Sequence, residues 1–222
     1  MGDRSAKNAL FDGFAHVAKA LGNGRRVELV DVLAQGERHV EELANEIGQS
    51  VANTSHHLQV LARAGLVITR RDGNHIHYQL ASNDVEQLWT GLRSVAQTHL
   101  DDLDELAADY LGNRTRLEEI SRDELAQRLD DGNLIIIDVR PRAEYASGHI
   151  RGARSIPINQ LPDIVRNLPT DIEVVAYCRG PYCVFADDAV RLLRRHRRNA
   201  RRLQDGFPEW RTARYPTATG LP

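Results

Sequence analysis

Cysteine is scarce in this sequence, and long hydrophobic runs are missing from it. Only 2 of the 222 residues are cysteine, which is too few for the disulfide framework of a small secreted domain. No apolar stretch approaches the roughly 18–20 residues that a membrane-spanning helix needs. The first residues lead into an amphipathic stretch and not into the apolar core of a signal peptide. We therefore expect a cytoplasmic protein that has no membrane partner.

The chain is longer than one average domain, and its charge is unevenly distributed. Domains cluster at roughly 100–150 residues, so a chain of 222 residues predicts two of them. A short turn at Gly112 gives the predicted boundary, with domains of residues 1–112 and 113–222. The first holds 10 Lys and Arg against 16 Asp and Glu, whereas the second holds 19 against 15. The acidic excess of the first half argues at first sight against a nucleic-acid partner.

Helical periodicity dominates the first half of the chain. Apolar residues at helical spacing predict helices over residues 5–20, 25–34, 40–47 and 51–64. Gly48 falls between the last two, where a tight helix-turn-helix needs a residue that tolerates positive φ. Two β-prone runs, residues 66–71 and 75–80, then flank an Asp-Gly turn, which is a hairpin signal. The pattern predicts a mainly α-helical winged helix-turn-helix domain whose wing is this β-hairpin.

The fourth helix and the wing carry the side chains that we expect to dock on DNA. One face of the helix holds small or hydrogen-bonding groups without a carboxylate, and the wing holds basic groups. DNA affinity depends on the local field of the docking face and not on net charge. We predict double-stranded operator DNA as the partner. Its contacts are assigned to Ser50, Ala52, Asn53, Ser55, His56, Gln59, Arg70, Arg71, Asn74 and His75.

The fourth helix also carries a family resemblance. Residues 48–61, Gly-Gln-Ser-Val-Ala-Asn-Thr-Ser-His-His-Leu-Gln-Val-Leu, with Ala-Gly-Leu-Val at 64–67, resemble the recognition helix of ArsR-type winged-helix repressors. The resemblance implies a homodimer that binds operator DNA and releases it when an inducer binds. Metal-sensing members of that family use cysteine pairs near the third helix or spaced His and acidic ligands on the last helix. This sequence matches neither pattern, so we assign no metal site and no cofactor.

Apolar residues recur every three or four positions between residues 85 and 111. This is the heptad pattern of a helix that pairs with another helix. We predict one long helix that packs against its copy in a partner subunit; an ordinary helix packed on its own domain is the alternative. The predicted dimer seam consists of Leu88, Leu92, Val95, His99, Leu103, Leu106 and Tyr110.

Strands and helices alternate in the second half, which predicts an α/β domain with a parallel sheet flanked by helices. The apolar runs at residues 134–140 and 173–177 are typical of buried parallel strands. A further short strand is predicted at residues 200–203. Helices are predicted from a capping box at Ser121 through Leu129, and over residues 159–168, 185–195 and 208–212.

The candidate reactive group, Cys178, directly follows the second buried strand. Ligands of open α/β sheets bind at the carboxyl ends of the strands. The chain then turns into the N-terminus of a helix, and the backbone N–H groups of such a loop form an anion cradle. This environment lowers a thiol pKa, and it would equally stabilise a persulfide anion. The cradle consists of Arg179, Gly180, Pro181, Tyr182, Cys183 and Val184.

Residues 115–218 resemble a rhodanese domain. Its opening signature is matched by Asp138-Val139-Arg140, Glu144-Tyr145, Gly148-His149-Ile150, Gly152-Ala153 and Ile156-Pro157, and its closing signature by Asp205-Gly206-Phe207 and Trp210. The resemblance implies that Cys178 takes sulfane sulfur from a donor such as thiosulfate and passes it to an acceptor thiol or cyanide. It also implies a structural role for Asp138 and Arg140. Related phosphatases and arsenate reductases have a longer loop that ends in arginine, where this chain has Val184.

Cys183 has two interpretations. It is either a small apolar residue at the start of a helix, or a second redox thiol. As a redox thiol it would attack a persulfide on Cys178, close a disulfide and release sulfide. A disulfide needs a Cα separation of roughly 4.4–6.8 Å, which the sequence leaves open.

The two resemblances together predict a transcriptional regulator, expected to be a repressor, that forms a persulfide on Cys178 and senses or transfers sulfane sulfur. Thiosulfate sulfurtransferase activity at Cys178 is part of this hypothesis. Two alternatives stay open. The second domain is a sulfurtransferase that merely shares its chain with a repressor whose inducer binds elsewhere. Otherwise the protein senses arsenite or an oxidant through Cys178 and Cys183.

Overall fold

The computed structural model describes residues 2–73, 75–112, 114 and 117–221, with the backbone alone for His75. The chain divides into two compact units, residues 1–93 and 94–222. Residues 94–112 therefore group with the second unit, while the predicted domain boundary lies later, at Gly112. That boundary stays a prediction. Among the described residues, no helix combines the length and the apolar character needed to cross a membrane.

The first unit contains most of the helices predicted for it. Its elements are α1 (Arg4–Leu21), α2 (Gly24–Leu33), β1 (Arg38–His39), α3 (Val40–Glu46), α4 (Val51–Arg63), β2 (Val67–Asp72), β3 (His75–Leu80) and the beginning of α5 (Asn83–His99). The strands form an antiparallel sheet in the order β1-β3-β2. Four leucines that are completely buried form the centre of the core: Leu29, Leu43, Leu58 and Leu61.

The turn chemistry of the winged helix-turn-helix is confirmed. Gly48 lies between α3 and α4 with φ 61°, and Gly65 ends α4 with φ 72°. Both are left-handed values that favour glycine. The Ser50 hydroxyl caps α4 by accepting the Asn53 N–H at 3.2 Å. The wing pairs Asp72 with His75, so a two-residue loop joins its strands. Strand β1 was not predicted, because two residues carry no periodicity.

The second unit is the predicted α/β domain. Its elements are α6 (Leu103–Leu111), β4 (Glu119–Ile120), α7 (Arg122–Gln127), β5 (Leu134–Asp138), α8 (Arg142–Ser147), β6 (His149–Ile150), β7 (Arg154–Ser155), α9 (Leu161–Ile164) with a 3-10 turn Val165–Asn167, β8 (Glu173–Tyr177), α10 (Val184–Arg195), β9 (Ala200–Leu203), α11 (Phe207–Thr212) and β10 (Thr217–Ala218). Five strands form a parallel sheet in the order β4-β9-β8-β5-β7. The alternation of strands and helices therefore predicted the architecture correctly.

One prediction in this region is wrong. The residues from 85 to 111 do not form a single helix, because α5 ends at His99 and α6 begins at Leu103. Asp101 and Asp102 lie in the break. Two carboxylates continuing the C-terminal end of α5 would oppose its helix dipole, whereas Asp104 and Glu105 suit the first turn of α6. The seven seam residues therefore lie on two helices.

Candidate functional site

The predicted DNA-contacting face of α4 is open to solvent. Ser50, Ala52, Asn53, His56 and Gln59 are exposed, and Ser55 is half-buried. The opposite face packs Thr54, Leu58 and Leu61 into the core. The helix therefore presents its hydrogen-bonding groups outward on a fixed frame, as readout of base edges in a major groove requires.

The basic groups of the wing are less free than their sequence position indicates. Arg70 donates from Nε to a carboxylate oxygen of Glu37 at 3.2 Å and forms a second bond to the other oxygen. This ion pair lowers the pKa of Glu37, first through the hydrogen bond from Arg70. Arg71 is exposed and donates to the Gly73 carbonyl at 3.2 Å. Asn74 and the side chain of His75, both predicted contacts, lie outside the described residues.

The strand β1 explains why Arg70 is paired. Arg38 and His39 pair with Tyr78 and His77 on β3, which brings the preceding Glu37 beside the wing. Because Glu37 is 33 positions away from Arg70 in the sequence, the residues of the wing alone do not reveal this pairing. The positive field of the wing is therefore smaller than the local sequence predicts.

His57 is a residue of α4 that sequence reasoning left without a role. It is half-buried, unlike its exposed neighbour His56. Burial lowers the pKa of His57, and the positive charge of Arg26 lowers it further. The imidazole is therefore favoured in its neutral form on the inner side of α4.

The two cysteines lie in one loop at the carboxyl end of β8. Cys178 directly follows the strand and is only 1% exposed. It forms a disulfide with Cys183, and their Cα atoms are 6.2 Å apart. This separation falls inside the range that disulfides need. Cys183 is thus the covalent partner of Cys178 in this structure. Reduction of the disulfide would give the reduced loop, in which both residues are thiols.

The loop is tightly curved and closely packed from one side. Within the loop, the Cys183 N–H donates to the Gly180 carbonyl at 3.1 Å. From outside the loop, the Phe207 N–H donates to the Cys178 carbonyl at 3.1 Å. A Cβ atom at Gly206 would lie 2.3 Å from the backbone of Arg179 and Gly180. Only glycine therefore fits at the position where the closing Asp-Gly segment supports the loop.

The guanidinium of Arg179 is directed towards Glu144 and not into the cysteine loop. It holds the buried Glu144 carboxylate, with Nη2 to Oε1 at 2.6 Å. It also lies 5.8 Å from the centre of the Phe185 ring on α10. The positive charge of Arg179, a residue of the predicted cradle, is thus largely balanced by Glu144.

Asp138 and Arg140, the pair expected to be structural, are both completely buried. Arg140 Nη2 lies 2.6 Å from Asp138 Oδ2 and donates to the Gly148 carbonyl at 2.7 Å. The Tyr177 hydroxyl donates to the same carboxylate. Burial alone would lower the pKa of Arg140, but the Asp138 charge and hydrogen bonds outweigh it, so that the pKa is raised. The bond from Tyr177 links this pair at the end of β5 to the end of β8, from which the cysteine loop departs.

Two further groups that sequence reasoning missed hold the loop. Arg114 donates to the Pro181 carbonyl at 2.8 Å and forms an ion pair with Asp187, a completely buried carboxylate in the first turn of α10. Gln97 Nε2 donates to the Tyr182 hydroxyl at 2.8 Å. No local signal could have found these contacts, because their partners are 67 to 85 positions away.

A cavity of about 350 Å³ lies beside the Phe185 ring, at the carboxyl ends of β5 and β7. Apolar side chains dominate its wall, and three polar side chains complete it. The lining consists of Val139, Pro141, Arg142, Pro157, Ile158, Asn159, Gln160 and Phe185. The same ring contacts Arg179 of the cysteine loop, so the cavity adjoins the surroundings of the loop.

The predicted seam residues stand largely in solvent. Exposed are Leu88, Leu92, Val95, His99, Leu106 and Tyr110, and Leu103 is half-buried. On the first unit, Leu88 and Leu92 line a groove of about 310 Å³ together with residues of α1, among them Phe14. Within the part of the chain that the structure describes, no three His, Cys, Asp or Glu side chains cluster in a way that could hold a metal ion.

Family models match both parts of the chain. Residues 23–69 match the model described as bacterial regulatory protein, arsR family. Residues 121–213 match the model of the rhodanese-like domain. The match in the first part includes α4, and the match in the second includes the whole cysteine loop.

Individual relatives agree with these models. The HTH-type transcriptional regulator Rv0324 of Mycobacterium tuberculosis is 46% identical over 221 residues, which span 100% of this chain and 97% of that protein. A sulfurtransferase of Allochromatium vinosum is 38% identical over 65 residues, 29% of this chain and 61% of that protein. The solution structure of the homodimeric winged helix-turn-helix domain of Mb0332 from Mycobacterium bovis is 44% identical, covers 46% of this chain and 94% of its own, and has a TM-score of 0.43.

Proposed function

Because the chain belongs to the ArsR family of bacterial transcriptional regulators and carries a C-terminal rhodanese-like domain, we propose that it represses transcription by binding operator DNA and that sulfane sulfur on Cys178 controls this binding. The exposed hydrogen-bonding face of α4 supports the DNA part. The observation that carries the sulfur part is the loop of Cys178 and Cys183 at the carboxyl end of β8. We place this activity in the cytoplasm, where operator DNA is available.

The sulfur chemistry starts from the reduced loop. The Cys178 thiolate attacks the outer sulfur of thiosulfate, the sulfur–sulfur bond of the donor breaks, and sulfite leaves with the electron pair. Cys178 then carries a persulfide anion. The N-terminal end of α10 and the loop amides stabilise negative charge at this point. An acceptor thiolate can remove the outer sulfur and restore the Cys178 thiolate.

Cys183 offers a second way out of the persulfide. Its thiol attacks the inner sulfur, on Cys178, and the bond between the two persulfide sulfurs breaks. The outer sulfur leaves as hydrosulfide with the proton of Cys183, and the Cys178–Cys183 disulfide remains. The Cα separation of 6.2 Å supports this route, because it suits a disulfide.

The disulfide also favours a second candidate function, in which the protein senses an oxidant or arsenite through both thiols. Hydrogen peroxide would take two electrons and two protons from the dithiol, leaving the disulfide and two waters. Arsenite would bind both thiolates without a redox step. In this candidate the rhodanese-like domain transfers no sulfur.

We further propose a homodimer. Exposed apolar side chains on α5 and α1, including Leu88, Leu92 and Phe14, form a surface that a second copy could cover. A carboxylate in such an interface would be buried without a partner. We expect Leu92→Asp to dissociate the dimer in analytical ultracentrifugation; an unchanged dimer would reject this surface.

The candidates differ in the reagent that changes the protein and in the product. Thiosulfate or polysulfide should place one sulfur on Cys178 of the wild type, visible by mass spectrometry, and Cys183→Ser should lengthen the lifetime of that persulfide. Turnover without any effect on DNA binding would favour a sulfurtransferase fused to a repressor with another inducer. A response to arsenite or peroxide alone would favour the dithiol sensor and overturn the sulfane proposal.

A further inference from the structure

Two residues near the beginning of the second unit, Gln97 and Arg114, hold the cysteine loop at two neighbouring positions. Gln97, in the last turns of α5, donates to the Tyr182 hydroxyl at 2.8 Å. Arg114 donates from Nη1 to the Pro181 carbonyl at 2.8 Å. Both partners lie between the two cysteines. The middle of the loop is therefore fixed from outside the sheet, by residues that precede its first strand.

Arg114 is the stronger of the two contacts. While Nη1 binds the Pro181 carbonyl, Nε forms an ion pair with the completely buried carboxylate of Asp187. The Arg114 side chain itself is only 20% exposed. A planar guanidinium can serve two acceptors in fixed directions at once, which an ammonium group cannot do with the same geometry. Arg114 thus ties the loop to the first turn of α10.

The position of the Pro181 carbonyl depends on how the loop is closed. Pro181 lies inside the turn of residues 180–183, which is closed where the Cys183 N–H donates to the Gly180 carbonyl. The disulfide joins the two ends of the same short segment. Cleavage of the bond between the two sulfurs therefore removes a constraint from the backbone to which Arg114 donates.

We infer that Arg114 is a positioning residue that favours the closed, disulfide form of the loop, so that closing the loop and docking the Arg114 side chain support each other. The inference rests on the proposed function in taking Cys178 and Cys183 as working thiols. A coupling of this kind is reciprocal. Reduction of the disulfide should therefore loosen Arg114, and loss of Arg114 should ease reduction.

The first test measures the disulfide equilibrium of the full-length protein in dithiothreitol buffers of graded ratio. Reduction by this dithiol gives two protein thiols and one cyclic disulfide, and alkylation followed by mass spectrometry counts the thiols. We expect Arg114→Gln to shift the equilibrium about tenfold toward the dithiol, the loss expected for a charged hydrogen bond. Arg114→Lys should preserve only part of the stabilisation of the disulfide by Arg114, so its shift towards the dithiol should be smaller than that of Arg114→Gln. Equilibria within twofold of the wild type would overturn the inference.

A matched control is available at the other end of β8. Arg128 binds the carboxylate of Glu173 at 2.7 Å, where the strand begins and not where the loop departs. Arg128→Gln removes a comparable ion pair from the same domain. We expect its disulfide equilibrium to match that of the wild type. An equal shift in both variants would mean that general destabilisation, not positioning, causes the effect.

A second measurement needs no substitution at Arg114. Trypsin cleaves after Arg114 only when this side chain leaves Asp187 for the protease. In the wild type, cleavage there should be several times faster after reduction than in the disulfide form. The double variant Cys178→Ser, Cys183→Ser should be cleaved fast with and without reductant. Equal rates in oxidised and reduced wild type would overturn the inference even if Arg114→Gln fails to fold.

The same samples separate this inference from the proposed function. Thiosulfate treatment followed by mass spectrometry shows whether Cys178 takes up sulfur. A shifted equilibrium without sulfur uptake would reject the sulfane proposal and keep the role of Arg114. Sulfur uptake with an unchanged equilibrium would do the reverse.

Discussion

The candidate functional groups of the two units differ in their exposure to solvent. On α4, Asn53, His56 and Gln59 stand in solvent, whereas in the rhodanese-like unit Cys178 is buried and bonded to Cys183. Side chains that contact DNA must lie on the protein surface, so each of them can be substituted without disturbing the others. A reactive sulfur needs a fixed loop, which here depends on buried ion pairs. Substitutions should therefore be local in the first unit and structural in the second.

The largest expected effect is at the buried pair. Asp138→Asn leaves Arg140 without its carboxylate, which we expect to cost the second unit about 3–5 kcal/mol of unfolding free energy. Each unit holds one tryptophan, Trp89 and Trp210, so denaturant titrations of single-tryptophan variants follow the units separately. Asp130→Asn is the control, since Asp130 is 90% exposed in its pair with Arg151. Equal stability of the two variants would contradict the assigned importance of the buried pair.

A smaller effect is expected on the DNA-facing helix. Asn53→Ala removes an exposed amide of α4. We expect the free energy of operator binding to become less favourable by about 1–3 kcal/mol, the value of a good base contact. Sulfur uptake at Cys178 should not change. Gln127→Ala removes an exposed amide from a helix of the other unit and serves as the control. If both variants bind the operator like the wild type, Asn53 is not a DNA contact.

The ion pair between Arg70 and Glu37 lies on the surface that we assign to DNA. It therefore tests whether an ion pair in the first unit limits a contact with DNA, whereas the ion pairs of the second unit support its loop. Glu37→Gln removes the closer carboxylate from Arg70 and leaves the contact with Asp72 at 3.4 Å. Arg70 should then bind a phosphate more readily and steepen the dependence of log affinity on log salt by up to about one unit. Glu118→Gln removes one carboxylate from the second unit, where it pairs with Arg194. A salt slope that changes equally in both variants would indicate a nonspecific effect of net charge.

The smallest effect concerns His57, the half-buried group of α4. Its pKa in the folded protein lies below the ordinary value of 6.5, so the unfolded chain binds the proton more readily. The contribution of neutral His57 to the stability of the first unit is therefore fully present above pH 6.5, and it is lost as the pH falls from 6.5 towards the lower pKa of the folded protein. His57→Gln should flatten this loss, as followed by Trp89 fluorescence during denaturation at several pH values. An unchanged pH profile would show that His57 does not cause it.

Local chemistry explains what the sequence could predict. Gly48, Gly65 and the Asp-Gly turn of the wing follow backbone rules that act within a few residues, and their elements are confirmed. The alternating pattern of the second half likewise predicted a parallel sheet, with Cys178 at the end of a central strand. These features depend on neighbours in sequence, so one chain suffices to infer them.

Long-range pairing explains what the sequence could not predict. Glu144 meets Arg179 across 35 positions, and Arg114 meets Asp187 across 73; neither pair has a local signal. The heptad pattern wrongly predicted one continuous helix over residues 85–111 for a different reason. It counts apolar positions alone, and the carboxylates of Asp101 and Asp102 end the helix although the spacing continues.

The central claim is that sulfur on the buried cysteine changes the binding of DNA by the exposed helix. Fluorescence anisotropy should measure operator affinity at one salt concentration for reduced wild type and Cys178→Ser, each before and after thiosulfate or polysulfide, with uptake checked by mass spectrometry. We predict that loading changes wild-type affinity at least about fivefold, the lower range of allosteric coupling, and leaves Cys178→Ser unchanged. Equal affinities of loaded and unloaded wild type would contradict the account.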